Sequence, residues 1–151
     1  MKYTLEIAIQ KPIEVVASTF YSAENMKHWQ EGFVSATNIS GTPGEEGSKT
    51  KLTYKMGRRE ISMIETIVKN NLPHEFHATY ETKGIYNIQK NYFEYLDSSA
   101  TKWISKSEFK FTSLFFKVYS FIAPGSFKKQ SLKYMKDFKK FTEKGISVVD
   151  I

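Results

Sequence analysis

Residues 101–144 change from a strand pattern to a helical pattern, and this change decides the fold. The stretch reads TKWISKSEFKFTSLFFKVYSFIAPGSFKKQSLKYMKDFKKFTEK. As far as Phe111, aromatic and small side chains alternate with charged ones, a period of two that predicts a half-buried strand. From Ser126 to Lys144, apolar residues recur every three or four positions, which predicts one long amphipathic helix with a lysine-rich outer face. Such a helix, following a strand, is suited to cover one face of a sheet.

The residues before this stretch predict the remainder of the sheet. Residues 2–10 alternate as a first strand, and Lys11-Pro12 begins a helix, because proline is tolerated at a first helical position. A second short helix is predicted over residues 23–30. Six strands follow in a meander, with hairpin turns at Gly57-Arg58 and Lys83-Gly84. This order predicts an α+β architecture, one antiparallel sheet with helices on one face, as a single domain over residues 1–151.

Composition excludes several classes of protein. The chain has 151 residues, 25% of them charged, and contains no cysteine, which rules out a disulfide framework and every cysteine-ligated metal. Residues 1–113 carry 14 basic and 13 acidic side chains, whereas residues 114–151 carry 8 lysines and 3 acids. The basic excess therefore lies in the last quarter. The start of the chain does not resemble a signal peptide, and the apolar stretch 114–124 is too short to span a bilayer. We expect a cytoplasmic protein.

Four segments carry a resemblance to a known superfamily. They are IAIQKPIEVV at 7–16, NMKHWQ at 25–30, NLPHEF at 71–76 and APGSFKKQ at 123–130. Over essentially its whole length, the chain resembles the SRPBCC superfamily, the START-like and polyketide-cyclase-like helix-grip proteins. The resemblance implies a seven-stranded antiparallel sheet wrapped around the long C-terminal helix, two short helices after the first strand, and a mostly apolar cavity between sheet and helix. Members bind lipids, sterols, polyketides, plant hormones or partner proteins, and some are enzymes, without a universal catalytic motif.

The predicted hairpin registers select the residues of the inner face. Pairing Tyr54 with Ile61, and Thr82 with Ile85, puts polar and aromatic side chains on the same face. Polar groups facing a dry core would need hydrogen-bond partners, which a cavity holding water or a polar ligand group would supply. The alternative is a filled core with local side-chain networks. The predicted ligand-binding residues are Tyr54, Met63, Glu65, Tyr80, Asn87, Gln89, Asn91, Phe93, Trp103, Ser105, Phe109, Tyr134 and Phe138.

Glu65 is the one acidic residue on this face and a candidate for catalysis. Burial would raise the pKa of its carboxyl group and suit it to carry a proton. The alternatives are a register one residue different, which would turn Glu65 outward, or a position at the rim in water. His77 is a weaker candidate because the same register turns it outward. His74 and His77, three apart on a predicted strand, point to opposite faces, so we predict no metal site, and no cofactor.

These patterns lead to three functional hypotheses. The first is binding of a small hydrophobic or amphiphilic molecule, of lipid, isoprenoid or polyketide type, without catalysis. The second is a polyketide cyclase or dehydratase-like enzyme that uses the same cavity. The third is a membrane-surface or protein-docking module, in which the basic C-terminal helix and an apolar tip at residues 115–122 contact an anionic membrane. Nucleic acid is not an expected partner, since Arg58 and Arg59 are the only arginines and no binding motif accompanies the lysines. We expect a monomer or homodimer.

Overall fold

The structure, a computed structural model, describes residues 1–150. Within them, seven strands form one antiparallel sheet in the order β1-β7-β6-β5-β4-β3-β2. The strands are β1 (Lys2–Ile9), β2 (Phe33–Ser40), β3 (Lys49–Met56), β4 (Arg59–Asn71), β5 (Glu75–Thr82), β6 (Ile85–Asp97) and β7 (Ala100–Phe111). The helices are α1 (Ile13–Tyr21), α2 (Met26–Trp29), α3 (Leu114–Ile122) and α4 (Ser126–Lys144), with short 3₁₀ turns at Ala23–Asn25 and Val148–Asp150. The predicted α+β architecture is confirmed.

Both predicted hairpin registers are confirmed. Met56 pairs with Arg59 across the first hairpin and Thr82 pairs with Ile85 across the second. The second turn also positions α3. Gly84 has a φ of +83°, and a Cβ at this position would lie 2.8 Å from the Ser113 Cβ, at the start of α3. Only glycine lets the turn and the helix approach this closely.

The long helix α4 covers one face of the sheet, which we call the inner face. Its Phe138 is fully buried, and the Phe138 ring meets the Trp103 ring edge-on, with centroids 5.1 Å apart. The Tyr3 hydroxyl of β1 hydrogen-bonds to Ser131 at 2.7 Å, which ties the first half of the helix to the sheet edge. The helix ends at Gly145, which is its C-cap in the left-handed conformation, with a φ of +67°.

The hydrophobic core occupies one end of the space between sheet and helices. Helix α1 begins at Ile13, one residue later than expected, because Pro12 serves as its N-cap. The core joins α1, α2 and α4 to the sheet, and its buried members are Leu5, Ile9, Ile13, Val16, Trp29, Phe93, Trp103, Met135 and Phe138. The other end of this space is not filled by side chains.

Tyr95 lies beyond the part of the sheet that the helices cover. It pairs with Thr101 near the end of β6 and is 65% exposed. Alternation assigns a side chain to a face of the sheet, but not to a part of that face that a helix covers. His74 lies in the turn before β5 rather than on the strand with His77. Within residues 1–150, no helix combines the length and the hydropathy that a transmembrane helix needs.

Candidate ligand-binding cavity

A cavity of about 1370 Å³ lies between the inner face of the sheet and the four helices. Toward the core it is bounded by Phe20, Trp29 and Met135, which belong to the core or pack against it. At its opposite end, which we call the mouth, the lining side chains are exposed to solvent: Met56, Arg59, Glu60, Lys83 and Phe115. The cavity therefore runs from the core to the tips of the two hairpins and α3. A second group of exposed lining residues lies where the end of α1 meets β2 and the loop after it: Tyr21, Ala23, Ala36 and Pro43.

One row of cross-strand neighbours makes a polar band across the cavity wall. Thr50, Glu65, Tyr80, Asn87 and Phe109 pair in sequence from β3 to β7, and all five line the cavity. The neighbouring rows of inner-face side chains, on the side of the mouth, are mainly apolar. Because successive inner-face positions are two residues apart along each strand, the register fixes where along the cavity the polar groups lie.

Glu65 lies on the inner face, as the register predicted, and not at the rim. It lies in the middle of β4, is half-buried, and lines the cavity. Burial raises the pKa of Glu65, and hydrogen bonding to the adjacent Tyr80 hydroxyl opposes the rise. Burial, and then the neighbouring Glu65, raise the pKa of Tyr80 well above its ordinary value. The pair can hold a proton between a carboxyl group and a phenol that stays protonated.

Two more tyrosines complete the polar part of the wall. The Tyr54 hydroxyl donates a hydrogen bond to the Gln30 side-chain oxygen, at 2.5 Å. Burial raises the pKa of Tyr54, with smaller contributions from nearby Tyr134 and Glu65. Burial likewise raises the pKa of Tyr134 on α4. All these phenols stay neutral at physiological pH and can donate or accept hydrogen bonds.

Ten of the predicted ligand-binding residues line the cavity. They are Tyr54, Met63, Glu65, Tyr80, Asn87, Gln89, Trp103, Ser105, Phe109 and Tyr134. Sequence alternation brings them to one face, and the hairpin registers bring them together across the strands. Their part in binding a ligand stays a prediction.

The other three predicted residues, Asn91, Phe93 and Phe138, lie in the packed core instead. Asn91 is 1% exposed, and its side-chain oxygen accepts a hydrogen bond from the Trp103 indole N–H at 3.0 Å. The placement of these three differs from the prediction because α1, α2 and α4 fill the space over this end of the sheet. The polarity of Asn91 is therefore satisfied by the protein itself.

Several lining residues outside the central strands were not predicted from the sequence. Phe20 on α1, Gln30 after α2 and Phe116 on α3 all line the cavity, as do Arg59 and Lys83 at its mouth. The apolar face of α1 was a usable signal for Phe20. No local pattern could place α3, since its position depends on the contact between Ser113 and the turn at Gly84.

His28 and His77 both lie outside the cavity. His77 lies on the face of the sheet opposite the cavity, as predicted, with its ring edge-on to Tyr92. Burial lowers the pKa of His77, and the neighbouring Glu75 opposes the shift. His28 stacks on Phe141 and hydrogen-bonds to Ser147 at 2.8 Å. Among residues 1–150, no group of three or more His, Asp or Glu side chains comes together where a metal ion could bind.

No protein-family model matches this chain, and no curated protein sequence matches it significantly. Solved structures do match. The Zhui aromatase/cyclase from Streptomyces sp. R1128 superposes with a TM-score of 0.80 at 6% identity, covering 99% of this chain and 97% of that one. A conserved protein from Geobacillus kaustophilus matches at 0.76 with 12% identity, covering 96% and 97%. Ara h 8.0201 matches at 0.73 with 14% identity, covering 94% and 97%.

At these identities the similarity shows the fold. The chain has the helix-grip fold of these solved structures, a seven-stranded antiparallel sheet around a long C-terminal helix. This fold is shared by proteins of different function, so the chemistry has to be argued from the cavity.

Proposed function

We propose that this protein binds a small amphiphilic molecule, of lipid, isoprenoid or polyketide type, in the cavity between the sheet and α4. One observation carries the proposal: a largely apolar space of about 1370 Å³ crossed by a polar band that includes Glu65 and Tyr80. Ligand pockets usually have volumes of about 300–1,000 Å³, so this cavity has room for a long or polycyclic molecule.

The polar band specifies the kind of ligand. A buried carboxyl group with a raised pKa, beside phenols that stay neutral, can donate and accept hydrogen bonds. A hydroxyl, carbonyl or amide group on the ligand suits this band. A permanently anionic group would be repelled whenever Glu65 ionises. We therefore expect an apolar body with a neutral polar group at the level of Glu65 and Tyr80.

The test compares two tryptophan variants of β6. Gln89→Trp fills the cavity, whereas Lys90→Trp places the same side chain on the opposite face, where Lys90 is exposed. Molecules that co-purify with the folded wild-type protein are released by denaturation and identified by mass spectrometry. Affinity for the neutral fluorescent probe N-phenylnaphthylamine is measured in parallel, with circular dichroism to confirm folding.

We expect Gln89→Trp to weaken probe binding by about tenfold or more, since overpacking a site costs about 1–3 kcal/mol. Lys90→Trp should bind as the wild type does. Absence of probe binding by the wild type, or equal binding by both variants, would contradict the proposal.

A polyketide cyclase-like enzyme is the second candidate, and the Glu65–Tyr80 pair favours it. In this reaction the Glu65 carboxylate takes a proton from a carbon next to a ligand carbonyl, and Tyr80 donates a hydrogen bond to the enolate oxygen. The enolate carbon then bonds to a second carbonyl carbon of the same molecule, and the protonated Glu65 returns its proton to the new alkoxide. The sum of these steps is an intramolecular aldol addition, without a cofactor.

The enzyme hypothesis is tested with Glu65→Gln and a synthetic poly-β-ketone ester. Glu65→Gln should abolish cyclisation, followed by absorbance, and leave N-phenylnaphthylamine affinity unchanged. Retained cyclisation would reject Glu65 as the proton carrier, and no cyclisation by the wild type would leave the binding function alone. The cytoplasmic location and the monomeric or homodimeric state stay predictions of the sequence.

A further inference from the structure

Helix α3 exposes its apolar face to solvent. Leu114, Phe115, Val118, Phe121 and Ile122 are all exposed, Phe121 by 89% and Ile122 by 74%. At 3.6 residues per turn, these five side chains lie within an arc of about 120°. A surface helix of a globular protein normally turns such a face toward the core. Contiguous apolar patches of this kind mark sites that contact a membrane or another molecule.

The opposite side of α3 faces the protein. Phe116 and Tyr119 line the cavity, and the Ser113 side chain caps the helix by accepting a hydrogen bond from the Phe116 N–H at 3.2 Å. The helix is thus held in place with its apolar face outward. Phe115 belongs both to that face and to the mouth. The exposed apolar face is therefore continuous with the mouth of the cavity.

The charged residues near α3 in the sequence are all positive, and the mouth beside it adds Arg59 and Lys83 as well as Glu60. Residues 109–136 contain six lysines and no aspartate or glutamate. Lys117 lies on α3 itself, and Lys128 and Lys129 are exposed in the first turn of α4, which has no acidic residue. Cations at a helix N-terminus oppose the helix macrodipole, so these two lysines are unfavourable there unless an anion lies nearby. Lysines that flank an apolar face are typical of helices at an anionic lipid surface.

Of the occupants that could cover this face, the charges favour an anionic bilayer. A symmetric dimer through α3 would gather Lys117, Lys128 and Lys129 of both copies around one interface, where like charges repel. A bilayer instead places phosphate groups beside the lysines and hydrocarbon against the aromatic side chains. Long lysine side chains can reach the headgroups while their methylene groups lie along the apolar surface.

We propose that α3 and the lysines of residues 117–129 form a docking site for anionic lipid bilayers. Phe121 and Ile122 enter the acyl boundary, Lys117, Lys128 and Lys129 contact lipid phosphates, and the mouth of the cavity faces the bilayer. Docking itself is independent of the proposed function. The consequence that an amphiphilic ligand passes directly between bilayer and cavity rests on that function.

The test measures flotation of the protein with vesicles of phosphatidylcholine alone and of phosphatidylcholine mixed equally with phosphatidylglycerol. The wild type should bind the mixed vesicles, bind pure phosphatidylcholine far less, and dissociate as salt is raised. The double variant Phe121→Ser/Ile122→Ser should lower the partition coefficient by at least about tenfold. Its matched control is Val34→Ser/Val68→Ser, which changes similarly apolar, exposed residues on β2 and β4 and should bind as the wild type does.

The lysines are tested in the same way. Lys128→Glu/Lys129→Glu should reduce binding by at least about tenfold, since each lysine near an anionic surface contributes about a factor of five. Lys136→Glu/Lys140→Glu, a charge reversal of the same size further along α4, should have a smaller effect. In addition, Phe121→Trp should show a blue shift of its fluorescence when mixed vesicles are added, because the indole leaves water.

The proposal is overturned if the wild type does not bind mixed vesicles, or if either pair of variants binds as its control does. Concentration-dependent dimerisation in the absence of lipid, abolished by Phe121→Ser/Ile122→Ser, would assign the face to a second copy instead. Failure of docking is distinguishable from failure of the proposed function. Gln89→Trp should float with vesicles as the wild type does, and Phe121→Ser/Ile122→Ser should keep its affinity for N-phenylnaphthylamine in solution.

Discussion

The hydrogen bond between Asn91 and Trp103 gives the sharpest prediction about the core. Both residues are buried, and the indole N–H donates to the Asn91 oxygen at 3.0 Å. Leucine is similar in size to asparagine, but Asn91→Leu leaves the Trp103 indole N–H buried without an acceptor. A buried donor that loses its acceptor costs about 1–3 kcal/mol. The free energy of unfolding should fall by that amount, and the melting temperature by about 2–4 °C for each kcal/mol.

A double-mutant cycle separates this hydrogen bond from packing. Urea unfolding, followed by circular dichroism, is measured for the wild type, Asn91→Leu, Trp103→Phe and the double variant. The double variant lacks both the indole N–H donor and its acceptor, so no buried donor is left unpaired. Its free energy of unfolding should exceed the value predicted by adding the two single changes, by at least about 0.5 kcal/mol. Gln89→Leu is the control on the same strand. Since Gln89 lines the cavity, its replacement should change stability little.

Two results would refute this reasoning. One is an Asn91→Leu protein as stable as the wild type, and the other is strict additivity in the cycle. Affinity for N-phenylnaphthylamine should also be unchanged in Asn91→Leu under conditions where the variant is folded. A large loss of affinity would show that Asn91 contributes to ligand binding, as predicted from the sequence.

Glu65 and Gly84 supply two further predictions. Burial raises the pKa of Glu65 above 4.5, so the stability that its protonated form contributes should be present below pH 4.5 and lost as the pH rises through the folded-state pKa. Urea unfolding of the wild type and Glu65→Gln from about pH 4 to about pH 8 measures this, and a difference that stays constant with pH would contradict it. An alanine in the left-handed conformation lowers the free energy of unfolding by about 1–2 kcal/mol. Gly84→Ala should lower it by more, because the new Cβ would meet Ser113. Gly57→Ala, at a φ of +63°, meets nothing within 4 Å and should lower it only by the smaller amount. Equal losses in thermal unfolding would show that α3 is not packed on the turn.

Patterns with a local cause were predictable from the sequence. The registers of the two hairpins follow from alternation and from glycines in their turns, and Gly145 ends α4 as a left-handed cap. Even the inward direction of Glu65 follows from the first of these registers, although a buried carboxyl group is unfavourable enough to make a slipped register a fair alternative.

Which inner-face residues lie in the core, and which line the cavity, was not predictable in this way. Gln89 and Asn91 are both polar, both on β6 and on the same face, yet the first lines the cavity and the second lies in the core. The difference arises from which helices lie over each position, and that is set by contacts between residues far apart in sequence. Tyr95 is exposed for the same reason, since alternation does not say where the covering layer ends.

The order of the elements, the registers of two hairpins and the inner-face side chains of the hairpin strands followed from the sequence, because these depend on neighbours along the chain and on turn geometry. The tertiary structure alone decided that this face is part core and part cavity, and that α3 turns its apolar side outward beside the mouth. The physical reason is that burial is a property of the assembled layers. The periodicity of the sequence does not indicate how far the helices extend over the sheet.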